Sequence, residues 1–459
     1  MLFQNVYPGF DVETKVTFTD NNESISEIIV TLFDTKHERS YLYKLIQKTL
    51  TVVQMLDSYN NILSELELTL DEFNLETIIK IICATLISSL LIKNEKKCEE
   101  KCHLYHKLPS KEEGEANPAT TNTYYTPSQI KTAYSVPEPK ENTNPVITII
   151  IAYSYPNLQA DFDLFCKTYD LPQKELIVVS FTTQQESTWN LEECLNVQWA
   201  YAMNTNATIQ IVEAKSNSFN DLFEAIAYAN NPPPESPLQP SDIISMSWGG
   251  PEPNMGIKLD KIFTQNTNIC YFAASGDTNP VQYPSSSPNL ISCGGTTLNL
   301  NADNTRESET TWTSAGCGQS QYFTKPLYQQ IPNLSQYTNR CANDIAGVAN
   351  PSTGVSIVYN GQFQGVGGTS VATPLIAGIF SIAIGQRKLL GKPTLTTNTN
   401  TTEANTLLQN FIYYGQRFCF YDVVKGMDGT FSASNNYDIP TGNGVPNGVN
   451  VTYGLENVF

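Results

Sequence analysis

The sequence predicts an α/β protein with a doubly wound, mostly parallel sheet that carries helices on both faces. Five short segments are rich in apolar and β-branched residues and predict strands: residues 146–155, 175–181, 207–214, 242–248 and 268–275. Helical patterns lie between some of them, at residues 190–204 and 218–230. Continuously apolar strands that alternate with helices are typical of a parallel sheet buried on both faces.

The chain also predicts a second, smaller domain at its N-terminus. At 459 residues it is too long for one ordinary core. Residues 1–107 combine strand-like stretches with helical ones, such as residues 41–66, and predict a small α+β domain. Residues 108–123 are polar, with Pro and Gly, and predict an exposed linker. Residues 124–459 form the α/β domain.

Charge and hydropathy exclude several partners. The formal net charge of -18 argues against nucleic acid, because phosphate binding needs clustered Lys and Arg. The most apolar run, residues 77–92, contains Lys80 and is short for a bilayer, so we expect a buried helix and no membrane association. The first residues show neither the basic stretch nor the apolar stretch of a signal peptide, so we expect none. We therefore expect a monomer that stays inside a cell or is packaged in a virion.

A candidate nucleophile stands in the segment GGTSVATP, residues 367–374. Ser370 opens an apolar helix there, where free backbone N–H groups and the helix dipole can hold an oxyanion. The alternative is a serine that only caps the helix. A serine nucleophile needs a base, and the three histidines, His37, His103 and His106, all precede the α/β domain. A histidine-dependent mechanism is excluded unless one of them reaches the cleft.

Carboxylates are the remaining candidate bases. Glu192 and Asn196 are four residues apart and share one face of a predicted helix. We expect Asn190 to cap this helix with Glu193 in a capping box, and the alternative for Glu192 is a solvated first-turn glutamate. Asp277 follows an apolar strand, at the sheet edge where functional groups gather. Its alternative is an Asx-turn aspartate.

Together these segments resemble the sedolisin, or serine-carboxyl peptidase, family, which includes tripeptidyl peptidase I. Further similar blocks are residues 124–137, 245–250, 275–277, 293–298 and 311–329. The resemblance implies a subtilisin-like fold and a peptidase domain over residues 124–459. Residues 1–107 would be a prosegment-like domain that covers the cleft as an inhibitor, with cleavage in the linker before about residue 124.

The resemblance assigns a role to each candidate. It places the nucleophile on Ser370, the base on Glu192 and the oxyanion donor on Asp277, in a serine-carboxyl endopeptidase or tripeptidyl peptidase that cleaves peptide and protein substrates at acid pH. The family's second carboxylate falls on Asn196, which can orient Glu192 but cannot share its proton. The alternative is a catalytically inactive relative with a structural or binding role, such as a packaged virion protein.

The resemblance also implies one structural Ca²⁺ near the C-terminus. Asp422 and Asp438 would supply carboxylate oxygens, and Val423, Ser434 and Asn436 would supply main-chain carbonyls. Such hard oxygen ligands suit Ca²⁺. Ser434 and Asn436 stand where the family has glycines, and the alternative is that both aspartates only stabilise turns.

Overall fold

The computed structural model describes residues 101–109, 124–253, 256–399, 411–413 and 417–457, together with the backbone of six strands between residues 2 and 66. The chain divides into two compact units, residues 1–97 and 98–459. The division therefore precedes residue 107, the predicted end of the N-terminal domain, and residues 101–109 belong to the larger unit. The helix predicted over residues 77–92 lies outside the described residues.

The described part of the smaller unit is a six-stranded antiparallel sheet in which each strand pairs with the next along the chain. Its strands are β1 (Leu2–Tyr7), β2 (Phe10–Phe18), β3 (Ile25–Asp34), β4 (Arg39–Ile46), β5 (Val53–Leu56) and β6 (Ile62–Leu66). The helix predicted over residues 41–66 is wrong at β4, β5 and β6. Apolar spacing within one segment does not reveal pairing with neighbouring strands, and that pairing satisfies the backbone here.

The larger unit is built on the predicted doubly wound sheet. Its spatial order is β15-β14-β13-β11-β8-β10-β9, with β18 also paired to β14, and every pair is parallel except β14 with β15. The strands of this unit are β7 (His103–Leu104), β8 (Val146–Ala152), β9 (Ile177–Ser180), β10 (Thr208–Ala214), β11 (Ile243–Met246), β12 (Trp248–Gly249), β13 (Cys270–Ala274), β14 (Ile291–Leu300), β15 (Arg306–Thr311), β16 (Gly318–Thr324), β17 (Asn339–Ala342), β18 (Ile345–Val348), β19 (Val355–Tyr359), β20 (Gln362–Val366), β21 (Phe420–Tyr421) and β22 (Val445–Pro446).

Helices cover this sheet, and the two that carry the candidate site are long and buried. The helices are α1 (Pro127–Ala133), α2 (Leu158–Thr168), α3 (Ser187–Met203), α4 (Phe219–Asn230), α5 (Gly256–Leu259), α6 (Thr369–Leu389) and α7 (Gly448–Asn457). By length and composition α6 could cross a membrane, but its apolar window is completely buried inside the structure. Such burial is typical of the core helix of a globular domain.

A glycine lets α3 and α6 pack closely against each other. A Cβ on Gly378 would stand 2.5 Å from the carbonyl oxygen of Ala200 and 2.7 Å from the Cβ of Met203. Beside this contact, the amide nitrogen of Asn204 donates to the Ser381 hydroxyl at 2.8 Å. The close contact fixes the spacing between the helix that carries Glu192 and Asn196 and the helix that carries Ser370.

Candidate active site

Ser370 is the second residue of α6 and does not cap it. The cap position is Gly368, whose φ of 111° suits a glycine, and the alternative that Ser370 caps the helix is wrong. The Ser370 N–H points out of the helix and donates to the carbonyl oxygen of Tyr105 at 3.0 Å. Its hydroxyl donates to the Ser247 carbonyl at 3.2 Å. The Ser370 N–H at the start of the helix therefore binds a peptide carbonyl from outside the helix.

Glu192 lies in the second turn of α3 and is completely buried. The helix begins earlier than predicted because Glu186 caps it and accepts the Trp189 N–H at 3.1 Å. The predicted capping box of Asn190 and Glu193 is therefore wrong. The alternative of a solvated first-turn Glu192 is also wrong.

Asn196 holds the Glu192 carboxylate from one helical turn away. Its amide nitrogen donates to Glu192 Oε1 at 2.7 Å, and its amide oxygen accepts the Ser247 hydroxyl at 2.6 Å. Ser247 directly follows β11, so the carboxyl end of a sheet strand fixes the orientation of the amide. The orienting hydrogen bond expected of Asn196 is present.

Asp277 reaches the start of α6 from the loop after β13. Its Oδ1 accepts the Thr369 N–H at 2.8 Å and the Thr369 hydroxyl at 3.0 Å, so its partners are on α6 rather than in its own turn. Its Oδ2 is buried without a hydrogen-bond partner among the described residues. Burial raises the pKa of Asp277 to about 7, against the lowering effect of the Thr369 hydrogen bonds. A neutral Asp277 can carry its proton on Oδ2 and donate it.

One of the three histidines, His106, does reach this site, so the condition on which a histidine-dependent mechanism was excluded is not met. Nδ1 of His106 lies 2.5 Å from Glu192 Oε2, so the second oxygen of the carboxylate is occupied as well. Burial alone lowers the pKa of His106, but the hydrogen bond and negative charge of Glu192 outweigh it and the net shift is upward. Among the hydrogen bonds that the described residues make, none joins the Ser370 hydroxyl to His106 or Glu192.

The structure therefore brings together all four predicted catalytic residues. It adds Ser247 and Thr369, which the sequence did not single out, and His106, which the sequence named only as one of three histidines that could reach the cleft. Ser247 could have been predicted from the sequence, because it directly follows an apolar strand at the edge of the sheet where functional groups gather. Thr369 adjoins the candidate nucleophile. No local pattern connects His106 with Glu192, since the contact joins segments 86 residues apart.

The two predicted calcium-binding aspartates lie on one loop. Asp422 accepts the Asn436 N–H at 2.8 Å, and Asp438 accepts the Ser434 N–H at 2.9 Å. Asn436 has a φ of 66°, a conformation that the glycine of the family would adopt more readily. Burial, with a contribution from the Asp422 charge, raises the pKa of Asp438 to about 6.

The fold and sequence are similar to those of known peptidases. Kumamolisin of Bacillus sp. (strain MN-32) is 28% identical in an alignment 372 residues long, which covers 72% of this chain and 64% of kumamolisin. Sedolisin of Pseudomonas sp. (strain 101) is 30% identical in an alignment 182 residues long, which covers 36% of this chain and 29% of sedolisin. The aligned part of the chain thus spans less than two thirds of the length of each of these relatives.

A solved structure of Pseudomonas sedolisin, complexed with two molecules of pseudo-iodotyrostatin, matches with a TM-score of 0.63 at 22% identity, over 74% of this chain and 100% of that one. This likeness confirms the subtilisin-like α/β fold. The profile of the subtilase family matches residues 186–417, just over half of the chain. The chain therefore belongs to the subtilase family and, within it, to the sedolisin group of serine-carboxyl peptidases.

Proposed function

We propose that this protein is an active serine-carboxyl peptidase that cleaves peptide bonds through an acyl-enzyme. Ser370 is the nucleophile and Glu192 is its general base. Asn196 is a positioning residue that acts through Glu192. Asp277 and the Ser370 N–H stabilise the oxyanion, and the substrates are peptides and proteins.

The observation that carries this proposal is the environment of one peptide carbonyl. The Tyr105 oxygen accepts the Ser370 N–H at 3.0 Å. A Cβ on Gly368 would stand 2.0 Å from that oxygen and 2.8 Å from Asp277 Oδ2, so both atoms line the same small space. A backbone N–H and a buried carboxylic acid thus converge on a carbonyl, which is the arrangement that stabilises a developing oxyanion.

The proposed proton transfers start at the Ser370 hydroxyl. The Ser370 hydroxyl turns from the Ser247 carbonyl and gives its proton to Glu192 as Oγ attacks the carbonyl carbon. Glu192 then protonates the leaving amine, and water repeats the cycle on the acyl-enzyme. The Asn196 amide does not ionise, so Glu192 alone carries the transferred proton while Asn196 fixes its orientation.

The competing function is that of an inactive relative with a structural or binding role. The lack of a hydrogen bond between Ser370 and Glu192 favours it at first sight. However, Glu192 Oε2, the carboxylate oxygen that Asn196 does not bind, contacts His106 instead. His106 belongs to a segment that lies across the site. Occupation by this segment explains the missing hydrogen bond without any loss of catalytic groups. We therefore propose that residues 101–109 act as a built-in inhibitor.

A fluorophosphonate probe distinguishes the active from the inactive protein, because it reacts only with an activated serine. After incubation at pH 5, we expect the wild type to be labelled at Ser370 and Ser370→Ala to remain unlabelled. Ser128→Ala, which alters an exposed serine of α1, is the control and should be labelled like the wild type. Absence of label on the wild type supports the inactive relative instead.

The pKa of Asp277 predicts the alkaline side of the pH profile. As the pH rises through about 7, Asp277 ionises, stops donating and repels the oxyanion. We expect peptide hydrolysis to fall by about 10²–10³-fold across this range. In Asp277→Asn an amide N–H replaces the acid and does not titrate, so the decline should disappear from the profile between pH 6 and 9. An identical decline in both proteins would assign it to another group.

The His106–Glu192 pair predicts a pH-dependent contribution to stability. The pKa of His106 is higher in the folded protein, so the pair stabilises fully below the ordinary histidine pKa of about 6.5 and is lost as the pH rises through the raised value. The charges around His106 are those of Glu192, Asp277 and Glu186, all of which raise its pKa. The stabilisation should therefore be largest on the acid side of neutrality.

We expect Ser370→Ala/His106→Ala to have a free energy of unfolding about 1–3 kcal/mol lower than Ser370→Ala at pH 6. Urea unfolding from pH 5.5 to 9 measures the difference, which should shrink towards high pH. His103→Ala in the same background is the control, because His103 is exposed. A difference that grows with pH would rule out a charged His106 in the pair.

We also propose one structural Ca²⁺ at the loop of Asp422 and Asp438. No three His, Cys, Asp or Glu side chains converge within the described ranges, so the main-chain oxygens of Val423, Ser434 and Asn436 would have to complete the coordination. The negative charges of Asp422 and Asp438 suit a hard cation. Asp422 and Asp438 repel each other across a partly buried loop, and a divalent cation would relieve that repulsion.

Calcium should stabilise the protein at neutral pH and less below about 6. Ligand binding to the native state adds about 2.7 kcal/mol at a hundredfold excess over Kd. Protonation of Asp438, whose pKa is raised to about 6, competes with the cation at lower pH. Thermal unfolding with Ca²⁺ or EDTA at pH 7.5 and 5 measures both effects, with Asp438→Asn as the variant. A melting temperature that EDTA leaves unchanged, with no calcium by elemental analysis, contradicts the site.

A further inference from the structure

Residues 101–109 lie along the site as an extended strand. On one side of Tyr105, β7 pairs with β12 in antiparallel register, with Leu104 opposite Trp248 and His103 opposite Gly249. Further upstream, the Cys102 N–H donates to the Asn217 carbonyl at 2.7 Å. Peptides that bind by adding a strand make these main-chain hydrogen bonds.

The other side of Tyr105 is held in the same way. Lys107 and Gly367 exchange two backbone hydrogen bonds, each of 2.9 Å. The Lys107 ammonium donates to the Asp277 carbonyl at 3.2 Å and stands 5.1 Å from the centre of the Trp312 ring. The segment is therefore anchored on both sides of one peptide bond, between Tyr105 and His106.

That bond lies at the nucleophile. The Tyr105 carbonyl accepts the Ser370 N–H, and the Cα of His106 would be 2.7 Å from a Cβ on Gly368. Only a glycine at position 368 leaves room for the main chain to approach so closely. The carbonyl of Tyr105 thus occupies the position at which an attacked carbonyl would be polarised.

The Tyr105 side chain fills a pocket beside this position. The residue is 5% exposed, and its hydroxyl donates to Gln282 Oε1 at 3.1 Å. A Cβ on Gly249 would come within 2.4 Å of that hydroxyl, so the absence of a side chain there makes room for a tyrosine. An amide oxygen that receives a hydroxyl at the far end of an enclosed pocket favours tyrosine over smaller residues.

We propose that this peptidase cleaves its own chain between Tyr105 and His106, and that its substrates are extended polypeptides with tyrosine on the acyl side of the cleaved bond. This inference rests on the proposed peptidase function. Ser370 Oγ bonds to the Tyr105 carbonyl carbon, the C–N bond to His106 breaks, and the serine proton passes through Glu192 to the new amino group. One water then hydrolyses the ester and leaves a carboxyl group on Tyr105.

His106 determines when this cut can occur. Its imidazole occupies the Glu192 oxygen that Asn196 leaves free, so the base becomes available to Ser370 only after His106 moves away. The bond itself lies upstream of the predicted linker, residues 108–123, where cleavage was expected from the family resemblance.

The experiment uses the full-length chain, incubated from pH 4 to 7 and sampled over time by intact mass and N-terminal sequencing. We expect a fragment that begins at His106, formed at a rate independent of protein concentration in the first turnover, and no such fragment in Ser370→Ala. Tyr105→Ala should slow its formation by at least about tenfold. Tyr453→Ala, which removes an exposed tyrosine of α7, should process like the wild type.

The outcomes separate this inference from the function on which it rests. A wild type that reacts with the fluorophosphonate probe but first cuts elsewhere, for example within residues 108–123, keeps the peptidase function and overturns the Tyr105–His106 assignment. Unchanged processing in Tyr105→Ala overturns the tyrosine preference. A wild type that neither cuts nor reacts with the probe overturns the peptidase function and this inference together.

Discussion

The close packing of α3 against α6 is the constraint on which the site depends. Gly378 brings the two helix backbones together at Ala200, and the neighbouring Asn204–Ser381 hydrogen bond joins them. Both helices are buried, so neither can shift without opening the core. Glu192 and Ser370 stand on these two helices, and the distance between them is consequently a property of core packing rather than of a mobile loop.

Three carboxyl groups are buried in or beside this site, and they are accommodated in two ways. Glu192 receives hydrogen bonds from Asn196 and His106. Asp277 has a pKa raised to about 7 by burial, so near neutral pH it can be uncharged. Burial, followed by the charge of Glu213, raises the pKa of Glu193 well above its ordinary value. Different environments thus suit chemically similar groups to the proposed roles of base and acid.

Much of the fold could be predicted because its signals are local. The apolar strands of the sheet and the helix that starts at Thr369 are visible as continuous patterns, and the parallel arrangement follows from their alternation. The helix predicted over residues 41–66 was wrong, because apolar spacing in a single segment does not show that neighbouring strands will satisfy its backbone hydrogen bonds. The start of α3 was also predicted wrongly, because glutamate is not a residue that usually caps a helix, yet the Glu186 carboxylate accepts the Trp189 N–H here.

The candidate site was predictable to the extent that its groups lie in recognisable segments. Ser370, Glu192, Asn196 and Asp277 were assigned by resemblance, and the structure brings them within one small region. The contact of His106 with Glu192 could not be predicted, because nothing in the local sequence specifies which residue of an extended segment will lie next to Glu192. The register of residues 101–107 is set by main-chain pairing, which leaves no pattern in the side chains.

That main-chain pairing has a consequence for which proteins the proposed peptidase could digest. The residues from Lys101 to Lys107 occupy the site only because their backbone N–H and C=O groups are free to bond to the cleft. In a folded domain those groups are already bonded within helices and sheets. About seven residues, or roughly 23 Å of chain at about 3.3 Å each, must be extended at once. The proposed peptidase would therefore cleave denatured or loosely folded chains, and compact domains only after they unfold.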